Sequence, residues 1–400
     1  MVDESLSPSE LLLAQIIRSV LFAGAVPVPA FQDIDARELV IQAHTHRVAP
    51  LLYVALKQLQ LFDQLPNAAG HVLQRSFMQN MRRNGWKYGE LYKVLDQLEA
   101  SATPVVLLKG AAVAATIYPN QHYRAIGDLD FLIHKQDLPR VAEILTGMGY
   151  SAQREVAAGF RQENLGEEIF IRQDPMPCSM EPHWHLFSLP YYTRLVPIDW
   201  FWQHTEPVEI GHRQALIFAP TAQLLHLTAH YYLHHGGNHL RWTCDMALLL
   251  ARHGPTIDWP TLVEAATRFE VLQSLKSSLA QVAAVWGVEA PPAAEALLSR
   301  ARPGLKEQVN FAIVAVRTMD ARNLWDAATA PGVRGKLRYL RQLFFPSAEY
   351  MRRRYGMRDQ RLLPFYYLRR WGNGLVKFPP SAWAMMRNAL RMRRGPGAMP

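Results

Sequence analysis

Cysteine is nearly missing from this chain: Cys178 and Cys244 are the only two in 400 residues. Two thiols so far apart exclude a disulfide framework and offer no metal-ligand spacing, so a reducing cytoplasm is the expected setting. No uninterrupted apolar run comes near the roughly 20 residues that cross a bilayer. The first residues lack a basic stretch leading into an apolar core, so no signal peptide is expected. Charged residues make up only 19% and apolar ones 49%, which excludes a disordered chain and describes one that packs a core. At this length more than one core is expected.

The net charge of +9 is unevenly placed. From Arg334 to Pro400 there are 16 Lys and Arg against Glu349 and Asp359 alone. That stretch is about +14, so the first 333 residues carry about −5. Tyr339, Phe345, Tyr355, Phe365 and Trp371 are interleaved with its arginines. Such a surface suits an anionic membrane face or stacked nucleic acid, and would add a peripheral membrane contact to a cytoplasmic protein. A docked tail whose arginines balance the acidic body is the plainer alternative.

Hydrophobic periodicity divides the chain into four regions. Residues 1–100 read as helical, with Ser7-Pro8-Ser9-Glu10 as a helix cap and long helical spacing over Val72 to Leu98. Residues 101–219 interleave short apolar runs with helices: strands at Val105 to Leu108, Gly127 to Ile133, Glu167 to Arg172 and Ser179 to Leu186, and helices at Gly110 to Ile117 and Asp137 to Met148. Gly149 suits the left-handed cap of the latter. Residues 220–330 return to helices, among them Thr221 to Leu233, Leu240 to His253 and Trp259 to Phe269. Residues 331–400 form the basic, aromatic tail. The expected fold class is α+β, a small mixed-sheet domain embedded between helical regions.

The chemistry concentrates in the second region. Asp128-Leu129-Asp130 places two carboxylates on one strand face, about 7 Å apart. Such a pair repels when ionised, and a divalent cation between them removes that cost. Two incidental aspartates at a solvated strand end are the alternative. The context favours a site. Upstream, Gly110 opens a helix whose backbone N–H groups can face a phosphate, and Lys109 adds a point charge. Downstream, Glu181 supplies a third carboxylate on another strand, and such a set can hold two ions across an in-line displacement.

The order Leu108-Lys109-Gly110, Tyr118-Pro119, Arg124, Gly127-Asp128-Leu129-Asp130-Phe131, Gly149-Tyr150, Glu181-Pro182-His183-Trp184 and Leu240-Arg241-Trp242-Thr243-Cys244-Asp245 resembles the uncharacterised bacterial nucleotidyltransferase family of the polymerase-beta-type superfamily. The resemblance spans roughly residues 40 to 290. It implies a Mg²⁺-dependent transferase, with two ions, that moves a nucleoside monophosphate from an NTP such as ATP to an acceptor hydroxyl and releases pyrophosphate. It further implies that Asp128 and Asp130 are the metal-binding pair and Glu181 the third acidic position, all three catalytic, with Gly110 in the nucleotide-binding turn. The superfamily has Gly-Ser or Gly-Gly at that turn. Here it is Gly110-Ala111, so triphosphate contacts are expected from Lys109 and Arg124. The acceptor, whether small molecule, peptide, saccharide or RNA, is expected against the helices after Pro220.

Two rival readings come from other residues. His226, His230 and His234 recur every four residues, with His235 and His239 following, which is compatible with a metal-dependent phosphohydrolase. The His-Asp dipeptide of the best known helical phosphohydrolases is absent, and Leu224, Leu225 and Leu227 suit plain core packing. His183 and His185 share the face of Glu181; they either orient it or meet the acceptor, or are plain core or surface histidines. Arg241 and Asp245, four apart, read as an ordinary helix salt bridge. The second rival is a non-catalytic protein that keeps the fold and binds nucleic acid or membrane through its tail.

Overall fold

The computed structural model describes residues 6–22, 35–153, 165–187, 189–315, 325–330, 332–357 and 359–373. Four helices come first: α1 (Pro8–Leu21), α2 (Ala36–Thr45), α3 (Ala49–Gln58) and α4 (Asn67–Ala100). The cap on α1 forms as expected. Glu10 N–H donates to Ser7 Oγ at 3.3 Å while Ser7 N–H donates to Glu10 Oε2 at 2.7 Å, so two orphan donors of the first turn are satisfied. Glu10 also meets His46 Nε2 at 2.5 Å, and His46 Nδ1 accepts from the backbone of Leu240 at 3.2 Å. One histidine thus ties the N-terminal helices to the start of a helix 194 residues later.

A mixed sheet of seven strands runs in the order β3-β4-β5-β2-β1-β7-β6. Its strands are β1 (Val106–Leu107), β2 (Leu129–Leu132), β3 (Ser151–Ala152), β4 (Phe170–Arg172), β5 (Cys178–His183), β6 (Thr205–Ile210) and β7 (Arg213–Phe218). Helix α5 (Lys109–Thr116) joins β1 to β2, and α6 (Leu138–Gly147) follows β2. Gly149 has φ +86°, the left-handed geometry expected after α6. Strand β4 is shorter than the expected Glu167–Arg172 run, because Glu167 makes only an isolated bridge to His183. Residues 154–164 lie outside the described residues.

Period-two alternation sends the strands' side chains to two cores. Leu107, Leu129, Phe131, Ile133 and Met180 pack with Tyr88, Leu91, Leu95 and Leu98 of α4 and Val141 and Leu145 of α6. Val106, Leu108 and Leu132 face the other way, into a larger core shared with α1–α3 and the later helices. Asp130, Glu181 and His183 have the parity of this second set, so polar residues of the sheet meet the helical side.

The hairpin β6–β7 was not evident from the sequence. Its turn is Gly211-His212, with φ +58° and +64°, the two-residue geometry whose twist matches paired strands. A Cβ on Gly211 would stand 2.3 Å from the Tyr92 ring, so only glycine fits. Strand β7 pairs parallel with β1, and β6 is the edge strand on that side. Arg213 clamps the hairpin to α4 through both oxygens of Asp96, at 2.7 and 2.9 Å.

The helical side comprises α7 (Pro190–Leu195), α8 (Ile198–Gln203), α9 (Pro220–His235), α10 (Leu240–His253), α11 (Trp259–Arg268), α12 (Leu272–Trp286), α13 (Pro292–Arg300) and α14 (Leu305–Ala315). Trp286 is fully buried and its Nε1 donates to Thr243 Oγ1 at 2.9 Å, which satisfies the one polar atom of a large apolar anchor. No helix among the described residues is long and apolar enough to cross a membrane. Further on are helices at Gly332–Phe344 and Ala348–Tyr355, and Tyr339 of the first forms a small core with Ala327 and Ala330. Val333 and Phe365 there are 74% and 68% exposed. The architecture is α+β, a small mixed sheet held between helical regions.

Candidate active site

Parallel pairing of β2 with β5 sets Asp130 beside Glu181 and Leu132 beside His183. Because β2 and β5 are in register, three side chains converge on the helical side of the sheet. Asp130, Glu181 and His183 each offer a ligand atom, and these atoms lie within 4.8 Å of one another, the one such trio among the described residues. Asp128 precedes β2, half-buried, with the same strand parity. It is not part of that trio, but its carboxyl is pushed up by the charge of Asp130 first and by burial second. The two aspartates therefore do feel each other, as their spacing predicts.

The acids are graded. Burial alone would raise Asp130, yet Lys109 and His183 hold it well below the usual carboxylate range. Lys109 Nζ donates to Asp130 Oδ1 at 2.7 Å, and His183 Nε2 meets the same oxygen at 2.8 Å. Glu181 is pushed up to about 7, by burial first and then by Asp130 and Asp128. One carboxylate is thus fixed in its ionised form while its neighbour sits near neutrality.

Lys109 is 7% exposed and has φ +43°. A non-glycine residue in that region stores strain, on the order of 1–3 kcal/mol. From the start of α5 its amine reaches Asp130. Lys109 therefore reaches the site, but it is spent on a carboxylate rather than standing free for a phosphate.

Gly110 and Arg124 are placed differently from the expectation. A Cβ on Gly110 would stand 2.9 Å from Arg124 Nη1, so the missing side chain makes room for a guanidinium. Arg124 itself is 2% exposed and grips Asp245 with Nε at 2.8 Å and Nη2 at 2.6 Å. Tyr118 Oη adds a third donor to Asp245 Oδ1 at 2.7 Å. Arg124 is committed to a closed, fully hydrogen-bonded knot. The helix salt bridge expected between Arg241 and Asp245 is not formed, because Asp245 turns toward Arg124 instead.

Several residues that the sequence did not single out hold the loop before Asp128. Helix α4 presents Asn80, Asn84 and Lys87 on one face. Asn80 donates to His122 O at 2.6 Å, and Asn84 to Arg124 O at 2.8 Å. Lys87 donates to Ile126 O at 2.7 Å and Gly127 O at 2.5 Å. The i, i+4, i+7 spacing was visible, but polar residues on a long helix read first as a solvated face.

The histidines line the neighbouring wall. His226 is fully buried, and neither ring nitrogen meets a hydrogen-bond partner among the described residues. Its imidazole is held well below its usual range by burial, then by Lys109 and His183. His230 Nε2 and His235 Nε2 lie 3.1 Å apart, and both rings pack on Trp242. This stripe does not gather three ligand atoms as Asp130, Glu181 and His183 do. His185 turns away: its Nε2 donates to Val196 O at 3.0 Å, a structural role.

The site thus sits on a mixed sheet whose adjacent strands carry acids toward a helical wall. The chain belongs to the uncharacterised nucleotidyltransferase family, whose family model matches residues 32–287. No curated protein matches it. One solved structure is similar, an antigenic nucleotidyltransferase-like protein from Paracoccidioides brasiliensis, at 14% identity and a TM-score of 0.32, covering 55% of this chain and 95% of that chain.

Proposed function

We propose that the protein transfers a nucleoside monophosphate from an NTP to an acceptor hydroxyl, releasing pyrophosphate. The observation that carries this reading is the register of β2 on β5, which brings Asp130, Glu181 and His183 together beside Asp128. Their oxygen-rich donor set fits a hard divalent cation such as Mg²⁺, held by Asp128, Asp130 and Glu181, with two ions if all three share the work. When bound, such ions neutralise charge on the triphosphate and polarise the phosphorus under attack.

The chain's own residues supply the rest. The acceptor oxygen forms a bond to the α-phosphorus as the bond to the β-phosphate oxygen breaks, and pyrophosphate leaves. Glu181, beside Asp130 on the neighbouring strand, takes the hydroxyl proton. His183 holds Asp130 in place through its 2.8 Å contact, and Lys109 keeps that carboxylate ionised. Residues 101–219 form the catalytic unit, residues 1–100 brace it, and the helices of 220–330 receive the acceptor. We place the reaction in the cytoplasm, with the basic tail from residue 331 meeting an anionic surface.

The test is incubation with each labelled NTP, Mg²⁺ and a cell extract, following label and pyrophosphate together. Label moving to one acceptor class with stoichiometric pyrophosphate is the expected result. No pyrophosphate from any of the four NTPs, with Mg²⁺ or Mn²⁺, would remove the reading.

A further inference from the structure

Among the described residues, Arg241 is the site-facing cation that the fold leaves unexplained. It sits on the first turn of α10, is 7% exposed, and donates only to Ala125 O, from Nη1 at 3.1 Å. Its Nε meets no acceptor, and no carboxylate among the described residues lies within ion-pair distance of it. Asp245 and Asp128 act on it only from beyond ion-pair distance; a buried guanidinium without a contacting carboxylate is costly, and proteins otherwise pair or hydrogen-bond such groups. Arg124 shows what a structural arginine looks like here: both its ends are matched by Asp245. The two guanidiniums approach the same Trp242 ring, at 4.9 and 5.5 Å, so Arg241 also bears the repulsion of its neighbour. Burial and then Arg124 pull it down to about 10.

The surroundings say what would offset this. Arg241 and Asp128 feel each other's charge, so the guanidinium looks onto the carboxylate site. Across the loop of residues 125–128 lies Arg47, exposed at the end of α2, with φ +56°. Its Nη1 lies 3.7 Å from where a Cβ on Gly127 would stand, and it pairs with no carboxylate among the described residues. Lys87 holds the same loop from beneath. Three cations thus surround four residues whose single carboxylate is Asp128.

We propose that Arg241 and Arg47 clamp the phosphate chain of the nucleotide over the 125–128 loop. Resting on the transfer reading above, this gives the triphosphate contacts to α10 and α2 rather than to the Gly110 turn, where Arg124 fills the space. The planar forks of the two arginines suit paired phosphate oxygens better than two lysines would. The ligand class is an inorganic or nucleoside polyphosphate, and pyrophosphate is the product retained there until release.

Calorimetric titration of the full chain with inorganic pyrophosphate, with and without Mg²⁺, tests the clamp. Wild-type protein should bind it, and Arg241→Gln should weaken binding by about tenfold or more, as loss of charge-assisted hydrogen bonds implies. Arg241→Lys should recover part of it. Nucleoside alone should bind both forms alike, and Arg241→Gln should melt no lower than wild type, since it removes an unmatched buried charge. Arg47→Gln, at an exposed position, gives a second test with no risk to folding and should weaken pyrophosphate binding severalfold. Unchanged pyrophosphate affinity in both variants, or no binding to wild type, overturns the clamp. Arg241-dependent pyrophosphate binding in a protein that transfers no nucleotide keeps the clamp and removes the transferase.

Discussion

Two buried cation–carboxylate pairs flank the sheet, and they are built differently. Arg124 and Asp245 meet through both ends of the guanidinium, with Tyr118 as a further donor. Each of the two side chains is at most 2% exposed. Lys109 and Asp130 meet through a single contact at 2.7 Å, from a residue with a strained backbone, beside two further carboxylates. The first pair is saturated and the second is not. A saturated pair keeps helix α10 docked on the loop at residues 118–124. In the unsaturated pair Lys109 and His183 both meet Asp130 Oδ1, and on the proposed reading the carboxylate exchanges a partner for a cation. Burial is alike in the two pairs; the number of matched donors and acceptors is what differs.

The largest effect should come from opening the unsaturated set. Asp128→Asn with Asp130→Asn should lower pyrophosphate release by on the order of a thousandfold or more, since preorganised charge supplies most of such a rate enhancement. The fold should persist, and circular dichroism checks that. Wild-type turnover in the double variant would end the assignment. Glu181→Gln should cost about a hundredfold in turnover, the usual worth of a positioned base, with nucleotide affinity nearer to wild type. An equal loss of affinity would make Glu181 chiefly a cation ligand.

Breaking the saturated pair should act on stability instead. Asp245→Asn leaves the buried Arg124 uncompensated, and loss of one partner typically costs about 3–5 kcal/mol. Denaturant unfolding of Asp245→Asn beside Asp130→Asn would sharpen the contrast: the former should lose far more. Equal losses would erase the distinction between the two pairs.

The histidine wall gives a pH test. His235 is pulled down to about 3 by burial, then by Arg241, His239, Lys109 and Arg47, and His185 to about 4 by burial. His226 and His230 are lowered too, by burial and then by Lys109. Because these folded-state values lie below the ordinary imidazole value of about 6.5 that the unfolded chain keeps, the unfolded chain binds more protons at acid pH. Their contribution is present above about pH 6.5 and is lost as pH falls toward 4. A tenfold difference in proton affinity between the folded and unfolded chains is worth about 1.4 kcal/mol. Unfolding free energies at pH 7 and pH 4.5 should therefore differ by roughly a few kcal/mol. His226→Phe should flatten that dependence in part.

The smallest effect on the site should come from the tail. Removing residues 334–400 should leave pyrophosphate release with a small acceptor close to wild type, while binding to anionic vesicles or nucleic acid falls. In the intact protein that binding should weaken as salt rises. A full-length protein that binds neither at low salt would show the tail to be a packed element.

Much of this was legible beforehand. The shared strand face of Asp130 and the strand that carries Glu181 were legible through strand alternation, and Ser7 with Glu10 through a cap pattern, because both signals are local. What stayed hidden was long-range. Arg124 finds Asp245 across 121 residues, whereas Arg241 stands four residues from the same acid, so local spacing pointed to the wrong partner. The stripe of Asn80, Asn84 and Lys87 reads as a wet helix face until the loop it grips is known. Hairpin β6–β7 was missed because Pro207 and three charged residues dilute its alternation, although Gly211 marked the turn.

Helix α4 has one more consequence, for anyone cutting the chain. Its 34 residues run unbroken from the packing of α2 and α3 to the hydrophobic face of the sheet, and midway they hold the carbonyls leading into Asp128. A fragment starting near residue 100 would keep every acid of the site and lose the splint that sets their loop. Such a fragment should be expressed poorly or lack activity for reasons unrelated to chemistry. Any minimal version of this protein has to begin before Asn67.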